Sequence, residues 1–347
     1  GPPIEAAGVE DEVPAIGLES VDWTVVRAVE FEARVGHVLD YVAGVELEVD
    51  RNVLELMTML PDPPEIDPRF YADVWQPQET RHGLILDRLQ VELGREPADA
   101  DLSSIGSKLK ILGALGRWPA FQDVSRMIYY LTGMATERSA VLAYNLLHDG
   151  VIEMREGAMA ETIIAPIKRQ EPGHYAFYQL SARGLWAELA GWQKWLVRKL
   201  RTLSFAPVGA NNDRQKADFG ELMETLGTTA DLDDFARQIS RVETELLWAQ
   251  KRGLKVPPYV VAAFREAVQH APMPHADFVN SQVLASIRRE LPTGPELKPS
   301  RGWLPVRWLA GAGGFLLALA AGLSFLVRPQ RGGGAPGGGG SLAPGTT

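Results

Sequence analysis

The sequence contains no cysteine, and this absence limits its chemistry before any motif is considered. A chain without thiols forms no disulfide, builds no zinc knuckle and holds no iron–sulfur cluster through thiolates. Any metal that it binds must therefore be held by carboxylate and imidazole groups. That donor set suits iron or manganese.

Excess positive charge is absent as well. The chain has 35 lysines and arginines against 44 acidic residues, a net charge of −9, and no basic stripe with interleaved aromatics, so nucleic-acid binding is not expected. No run shows sustained period-two alternation, so strands are not expected either. Residues 1–20 lack the basic and apolar regions of a signal peptide, and we expect a disordered leader there.

Two glutamate–histidine pairs are the most informative feature that is present: Glu79-Thr-Arg-His82 and Glu171-Pro-Gly-His174. Residues three apart in a helix share a face, so each pair presents a carboxylate and an imidazole to one point. The plainer interpretation is two surface pairs of the kind that decorate ordinary helices.

A glutamate precedes each pair at nearly the same distance: Glu46 lies 33 residues before the first pair and Glu137 lies 34 before the second. On four antiparallel helices this duplicated pattern places four carboxylates and two imidazoles in one core, the ligand set of the di-iron carboxylate bundles. Asp50, one turn after Glu46, is the alternative ligand on the first helix. The predicted metal ligands, which are also the predicted catalytic residues, are Glu46, Glu79, His82, Glu137, Glu171 and His174.

The hydrophobic pattern predicts an all-α domain over residues 21–270. Within the first helix, Glu46 falls inside the apolar stripe and needs a partner, whereas Glu48 is predicted to point away. Pro172 removes a backbone hydrogen bond from the fourth helix and predicts a kink there. The predicted helices are about 23–60, 67–93, 102–115, 120–148, 158–180, 183–203, 213–226, 230–252 and 257–270.

The flanks of the pairs resemble a known family. Trp75-Gln-Pro-Gln-Glu-Thr-Arg-His-Gly83 is similar to the second ligand helix of the soluble acyl-ACP desaturases, enzymes that act on an acyl chain carried by acyl carrier protein. Thr136-Glu-Arg-Ser-Ala140 is similar to their third ligand helix, and Glu171 to His174 stands where they have Glu-Lys-Arg-His. The resemblance covers roughly residues 22–270.

The resemblance implies a ferritin-like four-helix bundle with additional C-terminal helices and two iron ions (Fe2+). It further implies O2-dependent oxidation of an acyl chain or a similar lipid-like substrate. The acyl group would arrive on acyl carrier protein or coenzyme A, and the electrons would come from a ferredoxin-like donor.

Three positions depart from the family pattern. Ala140, with Ser139 beside it, stands where the family has a threonine, and Gln170 stands where it has an aspartate. Pro172-Gly173 replaces two helix-favouring residues. These departures leave two alternatives open: a di-iron N-oxygenase or hydroxylase of a small molecule, and a non-catalytic, membrane-tethered helical binding module.

A second segment predicts a membrane anchor. Trp308–Val327 is a run of twenty residues without a charge, which matches one membrane span in length. The predicted transmembrane anchor covers 303–328, after a helical linker at 271–302 and before a disordered glycine-rich tail at 329–347. We expect a single-pass membrane protein with its catalytic domain in the cytoplasm; a buried hairpin helix is the alternative.

Small residues recur every four positions within this segment, at Ala310, Gly314, Ala318 and Gly322. Such a stripe lets two helices approach closely and predicts a homodimer. The alternative is that small residues are simply common in membrane spans.

Overall fold

The computed structural model describes residues 15–207, apart from 61, 99, 101–112 and 115, and residues 213–271. The chain divides into two compact units, 1–275 and 276–347, and all the described residues belong to the first. Within the described residues the fold is all-helical and has no strand, as the sequence predicts.

The ligand-bearing helices come first in the chain, and two of them contain a wider π-helical stretch. Helix α3 runs through Ile66–Arg69, the π stretch Phe70–Trp75 and Gln76–Glu92; helix α5 runs through Gly157–Met159, the π stretch Ala160–Ile164 and Ala165–Glu188. The other two in this group are α1 (Ala28–Glu46) and α4 (Pro119–Glu153); α2 (Val49–Met59), which carries none of the predicted ligands, follows α1 in the chain.

Shorter helices complete the described part of the chain: α6 (Gly191–Ser204), α7 (Asp213–Thr225), α8 (Leu232–Leu247) and α9 (Pro258–His270). Their boundaries follow local chemistry. Asp231 caps α8 by accepting the backbone N–H of Asp234 at 2.9 Å. Gly227 follows α7 with a φ of 71°, a left-handed conformation that glycine adopts without a steric penalty.

Packing places the four ligand-bearing helices beside one another. Helix α4 packs chiefly on α5, and α1 packs chiefly on α3, while α7 lies against α1 and α9. A continuous core of buried aliphatic and aromatic residues extends from these helices to α7, α8 and α9. Each fully buried large side chain contributes roughly 1.5–3 kcal/mol, so this core is the main source of stability.

The predicted first helix is divided in the structure, and its start and end also differ. It begins at Ala28 rather than Trp23 and is interrupted at Leu47 and Glu48. The interruption turns Glu48 into the core, where its carboxylate pairs with Arg51, so the prediction that it points away was wrong. Periodicity alone did not reveal this break.

Part of the predicted leader is also folded. Leu18–Ser20 forms a short 3-10 turn, and Ile16 and Val21 are buried against the core. Residues 1–14 lie outside the described residues.

The predicted C-terminal elements, from 272 onward, also lie outside the described residues, as does most of the predicted short helix at 102–115. Among the helices that the structure does describe, none combines the length and apolar character needed to cross a membrane.

Candidate metal centre

The structure brings all six predicted ligands together in the interior. Glu46 lies at the C-terminal end of α1, Glu137 lies within α4, and α3 and α5 each supply one glutamate–histidine pair. All six are buried, and both imidazoles are fully shielded from solvent, at 0% exposure. These are not surface pairs.

The six residues form two overlapping groups. One contains Glu46, Glu79, His82 and Glu171; the other contains Glu79, Glu137, Glu171 and His174. In each group, one donor atom per residue lies within 4.8 Å of all the others, a spacing that lets one metal ion contact them all. Because Glu79 and Glu171 belong to both groups, they are placed to bridge two ions.

The donor atoms point at a common space rather than at one another. His82 Nδ1 lies 3.2 Å from Glu171 Oε1 and 3.7 Å from Glu46 Oε2. His174 Nδ1 lies 2.7 Å from Glu79 Oε1 and 3.7 Å from Glu137 Oε2.

Despite these short distances, four of the donor atoms lack hydrogen-bond geometry to any partner within the described residues: Nδ1 of both histidines and Oε1 of Glu79 and Glu171. Buried polar atoms are normally satisfied, and an unsatisfied one is costly. Four such atoms converging on one space fit metal ions well, and oxygen-rich donors with two imidazoles suit iron or manganese.

The far nitrogen of each imidazole is held by a glutamine from the other pair's helix. His82 Nε2 lies 2.7 Å from Gln170 Oε1, and His174 Nε2 lies 2.8 Å from Gln78 Oε1. Since an amide oxygen only accepts, each Nε2 carries the proton and donates it. Nδ1 is therefore the ring nitrogen that faces the candidate metal site and can bind an ion once it is deprotonated.

Sequence reasoning missed these two glutamines, although a signal was available. Gln78 and Gln170 each stand directly before a ligand glutamate, so the duplicated unit is Gln-Glu-x-x-His rather than Glu-x-x-His. Partners of this kind fix the tautomer and the ring orientation of metal-binding histidines.

The two outer carboxylates have donors of their own. Tyr144 donates its hydroxyl to Glu46 Oε1 at 2.6 Å, and Trp75 donates its indole N–H to Glu137 Oε1 at 3.2 Å. Each bond restrains one oxygen of its carboxylate and leaves the other free for a metal. Neither partner was predicted from the sequence.

Burial and mutual repulsion raise the pKa of three of the carboxyl groups, whereas the pKa of the fourth is lowered. Burial, followed by the charges of nearby carboxylates, raises the pKa of Glu79 and Glu137 well above the usual range. Burial also raises the pKa of Glu171, against a hydrogen bond from His82. Burial acts on Glu46 too, but its interactions with the neighbouring Glu79 and His82 outweigh it and lower the pKa to about 2.

The pKa values of the two imidazoles are also shifted in opposite directions. Burial works to lower the pKa of His82, but the nearby carboxylates of Glu171 and Glu46 outweigh it and raise the pKa to about 10. Burial lowers the pKa of His174 to about 3, and the charge on His82 acts in the same direction. A metal-free centre therefore holds protons, which metal ions displace because ligands coordinate in their deprotonated form.

The structure separates the two alternatives for the first-helix ligand. Asp50 lies beyond the interruption, in the first turn of α2, and is exposed. Glu46 is 7% exposed and belongs to the first ligand group. Equal spacing in the sequence was the better guide.

The proline inside the fourth ligand helix is accommodated without ending it. Helix α5 continues through Pro172 to Glu188, and Glu171 and His174 remain buried on the same face. Pro172 and Gly173 are both exposed, so the two unusual residues lie on the solvent side of the helix. At the remaining departure from the family pattern, Ala140 packs on the core, and the Ser139 hydroxyl donates to the carbonyl of Ala135 within its own helix at 2.8 Å.

Comparison of the chain with family models, with curated proteins and with solved structures gave no match.

Proposed function

We propose that this chain is an O2-dependent oxidoreductase that uses two iron ions held by Glu46, Glu79, His82, Glu137, Glu171 and His174. The observation that carries the proposal is the pair of overlapping ligand groups that share two glutamates. A structural site for one metal does not need a duplicated set, and a structural core does not need four unsatisfied donor atoms.

Each ligand has a distinct role in this proposal. Glu79 and Glu171 would contribute to both ion positions, Glu46 and His82 would complete one of them, and Glu137 and His174 would complete the other. The architecture proposed for these helices is the ferritin-like bundle, in which two helices each supply one glutamate and two each supply Glu-x-x-His.

The bound ferrous ions supply reactivity toward O2, and the chain's own residues set the conditions for it. The helices exclude bulk water from the centre, because each ligand is at most 7% exposed. Gln78 and Gln170 hold the Nε2 proton and the ring orientation of each imidazole. Tyr144 and Trp75 restrain the outer carboxylates while the bridging carboxylates remain free to adjust.

The proposed substrate is an acyl chain or a similar lipid-like molecule, presented on acyl carrier protein or coenzyme A. The resemblance of the ligand helices to the acyl-ACP desaturases supports this choice, and so does the apolar segment Trp308–Val327. A ferredoxin-like protein is the proposed electron donor.

A hydroxylase or N-oxygenase of a small molecule is the second candidate. Ala140, at the position of the family's threonine, favours it, because that site offers no hydroxyl, and the neighbouring Ser139 hydroxyl is engaged within its own helix. The ligands and their roles would be the same.

Metal analysis tests the core of the proposal. The purified full chain, loaded with Fe2+ without oxygen and then desalted, should hold about two irons per chain. Glu137→Ala should lose iron from at least one position, because it removes an outer ligand. Asp50→Ala is the matched control and should retain both irons. Absence of iron from the wild type would leave the binding-module interpretation.

Product analysis tests the reaction. With reductant, O2 and acyl-carrier or acyl-CoA substrates, mass spectrometry should show loss of two hydrogens for desaturation. A gain of one oxygen by the acyl chain would indicate hydroxylation. Oxidation of an aromatic amine with acyl chains untouched would move the protein to the N-oxygenase interpretation.

A further inference from the structure

A chain of oxidisable aromatic residues begins at the metal centre and leaves it in one direction. It consists of Trp75, Tyr71, Tyr178 and Tyr129, and we call it the aromatic relay. The first two lie on α3, Tyr178 lies on α5 and Tyr129 lies on α4. It starts at the Glu137 end of the centre, where Trp75 donates its indole N–H to that ligand at 3.2 Å.

Consecutive members of the relay are in contact. The rings of Trp75 and Tyr71 have centroids 5.0 Å apart, and the hydroxyls of Tyr71 and Tyr178 share a hydrogen bond. Tyr178 and Tyr129 have ring centroids 6.1 Å apart. Trp75, Tyr71 and Tyr178 are buried, whereas Tyr129 is only partly buried, so the relay runs from the centre toward the surface.

Two backbone features hold the relay in place. Tyr71 and Trp75 lie in the π stretch of α3, and π turns within α-helices occur frequently at functional sites. Gly133 of α4 lies directly under the Tyr178 ring: a Cβ there would be 2.3 Å from Tyr178 Cε1. Glycine costs a helix interior about 1 kcal/mol relative to alanine, and here it makes room for that ring.

The residues of the relay are more easily oxidised than the aromatic residues packed beside them. Indole and phenol rings give up one electron far more readily than phenyl rings do. Phe70 and Phe177, stacked at 3.7 Å beside the relay, can pack but are poor electron carriers. Apolar packing alone would be met by phenylalanine at every position, without the cost of burying hydroxyl groups.

A tyrosine with its own proton acceptor lies beside the outer end of the relay. Tyr130, whose ring lies 6.3 Å from that of Tyr129, donates its hydroxyl to both oxygens of Asp67 at 2.8 Å. Asp67 is fully buried, with Arg126 nearby. This carboxylate can take the proton of Tyr130 when Tyr130 is oxidised and return it when Tyr130 is reduced.

We propose that the aromatic relay carries single electrons between a one-electron reductant at the protein surface and the metal centre. This proposal rests on the proposed function. Each step moves one electron from a relay residue to its oxidised neighbour on the metal side. Between Tyr71 and Tyr178 the hydroxyl proton crosses the shared hydrogen bond together with the electron, so the tyrosine that is reduced regains its O–H bond as its neighbour becomes the radical. The net change is one electron from the reductant to the centre.

A radical signal provides the first test. The iron-loaded chain is mixed with O2 in the absence of reductant, frozen at millisecond intervals and examined by electron paramagnetic resonance. We expect a transient tyrosyl radical in the wild type and its loss or strong reduction in Tyr178→Phe. Tyr175→Phe is the matched control: Tyr175 lies on the same helix, outside the relay, against Arg138. It should leave the signal unchanged.

Reduction kinetics provide the second test. Reduced methyl viologen is mixed with the oxidised, iron-loaded chain, and the loss of ferric absorbance is followed. Tyr71→Phe and Tyr178→Phe should slow this reduction by about tenfold, a barrier increase of about 1.4 kcal/mol, while iron content stays at the wild-type level. Gly133→Ala, which displaces the Tyr178 ring, should slow it too.

The outcomes separate the two proposals. Normal iron content with an unchanged radical signal and unchanged reduction rates in Tyr178→Phe would overturn the relay and leave the proposed function standing. A wild-type chain that binds no iron would overturn both.

Discussion

At the scale of single residues, the crossed glutamines make a sharp prediction. Gln170→Leu removes the acceptor of the His82 Nε2 proton, and Gln78→Leu does the same for His174. Each variant should weaken iron binding about 10–100-fold, because loss of such a partner frees the tautomer and the ring orientation. Each should affect mainly one iron, and equilibrium metal titration of the two variants measures this.

The control for this pair is Gln179→Leu, which makes the same change on α5, one turn beyond Tyr175 and away from both ligand groups. It should bind iron as the wild type does. Equal affinities for wild type, Gln78→Leu and Gln170→Leu would show that the glutamines do not support the ligands.

The convergence of the six candidate ligands could be predicted because metal chemistry restricts both residue type and spacing. Glu-x-x-His forces two donors onto one helix face, and nearly equal distances to Glu46 and Glu137 indicated the remaining pair. Gln78, Gln170, Tyr144 and Trp75 could not be predicted in the same way. Their residue types serve many purposes in helices, and the partner that each one reaches lies on another helix.

At the scale of helices, the close approach of α1 and α3 depends on Gly83. A Cβ at this position would lie 2.8 Å from Leu47 Cδ2 and 3.1 Å from the backbone carbonyl carbon of Glu46. Gly83→Ala should therefore push the end of α1 outward, destabilise the fold by about 1–3 kcal/mol and weaken iron binding at the Glu46–His82 end. Chemical unfolding and metal titration report the two effects.

Gly184→Ala is the matched control, because this glycine lies in α5 and a Cβ added there would meet no neighbouring atom within 4 Å. It should stabilise the protein by roughly 0.5–1 kcal/mol through helix propensity. The two Gly→Ala changes thus have opposite predicted signs. Stabilisation by Gly83→Ala would show that α1 and α3 separate freely.

Helix positions could be predicted more reliably than helix interruptions. The apolar periodicity predicted both ends of α7 and the first residue of α4 to within a few residues. The C-terminal end of α4 was predicted too early, because the helix continues to Glu153. The interruption at Leu47 and Glu48 was missed, because Glu48 is buried through pairing with Arg51 and with Gln215 of α7 rather than through apolar packing. The glutamine partner lies 167 residues away in the chain, beyond the reach of any local pattern.

At the scale of the whole molecule, the sequence predicted an all-α domain, and the described residues confirm that class. Absence of period-two alternation and the long apolar stripes were sufficient for this conclusion. The ferritin-like topology, the homodimer and the membrane anchor at 303–328 stay predictions. The anchor depends on residues that lie outside the described part of the chain.

A buried ion pair joins α6 to α8, and its arginine also bonds to α4, so its removal tests how these helices hold together. Arg201 of α6 donates to Glu243 of α8 at 3.0 Å and to the carbonyl of Leu131 and the hydroxyl of Thr132 on α4, each at 3.1 Å. Tyr259 of α9 donates its hydroxyl to the same glutamate. Both charged residues are 1% exposed, so neither charge has water as an alternative partner.

Arg201→Met leaves the Glu243 carboxylate buried without its cation and should cost about 3–5 kcal/mol in the free energy of unfolding. The double variant Arg201→Met/Glu243→Leu should recover much of that loss, because no charge is then stranded in the core. Arg183→Ala is the control: it breaks the exposed Arg183–Glu245 pair between α5 and α8 and should cost at most about 1 kcal/mol. Urea unfolding of the four proteins gives these values. Equal losses for Arg201→Met and Arg183→Ala, or a double variant no more stable than the single one, would show that the buried pair does not join these helices.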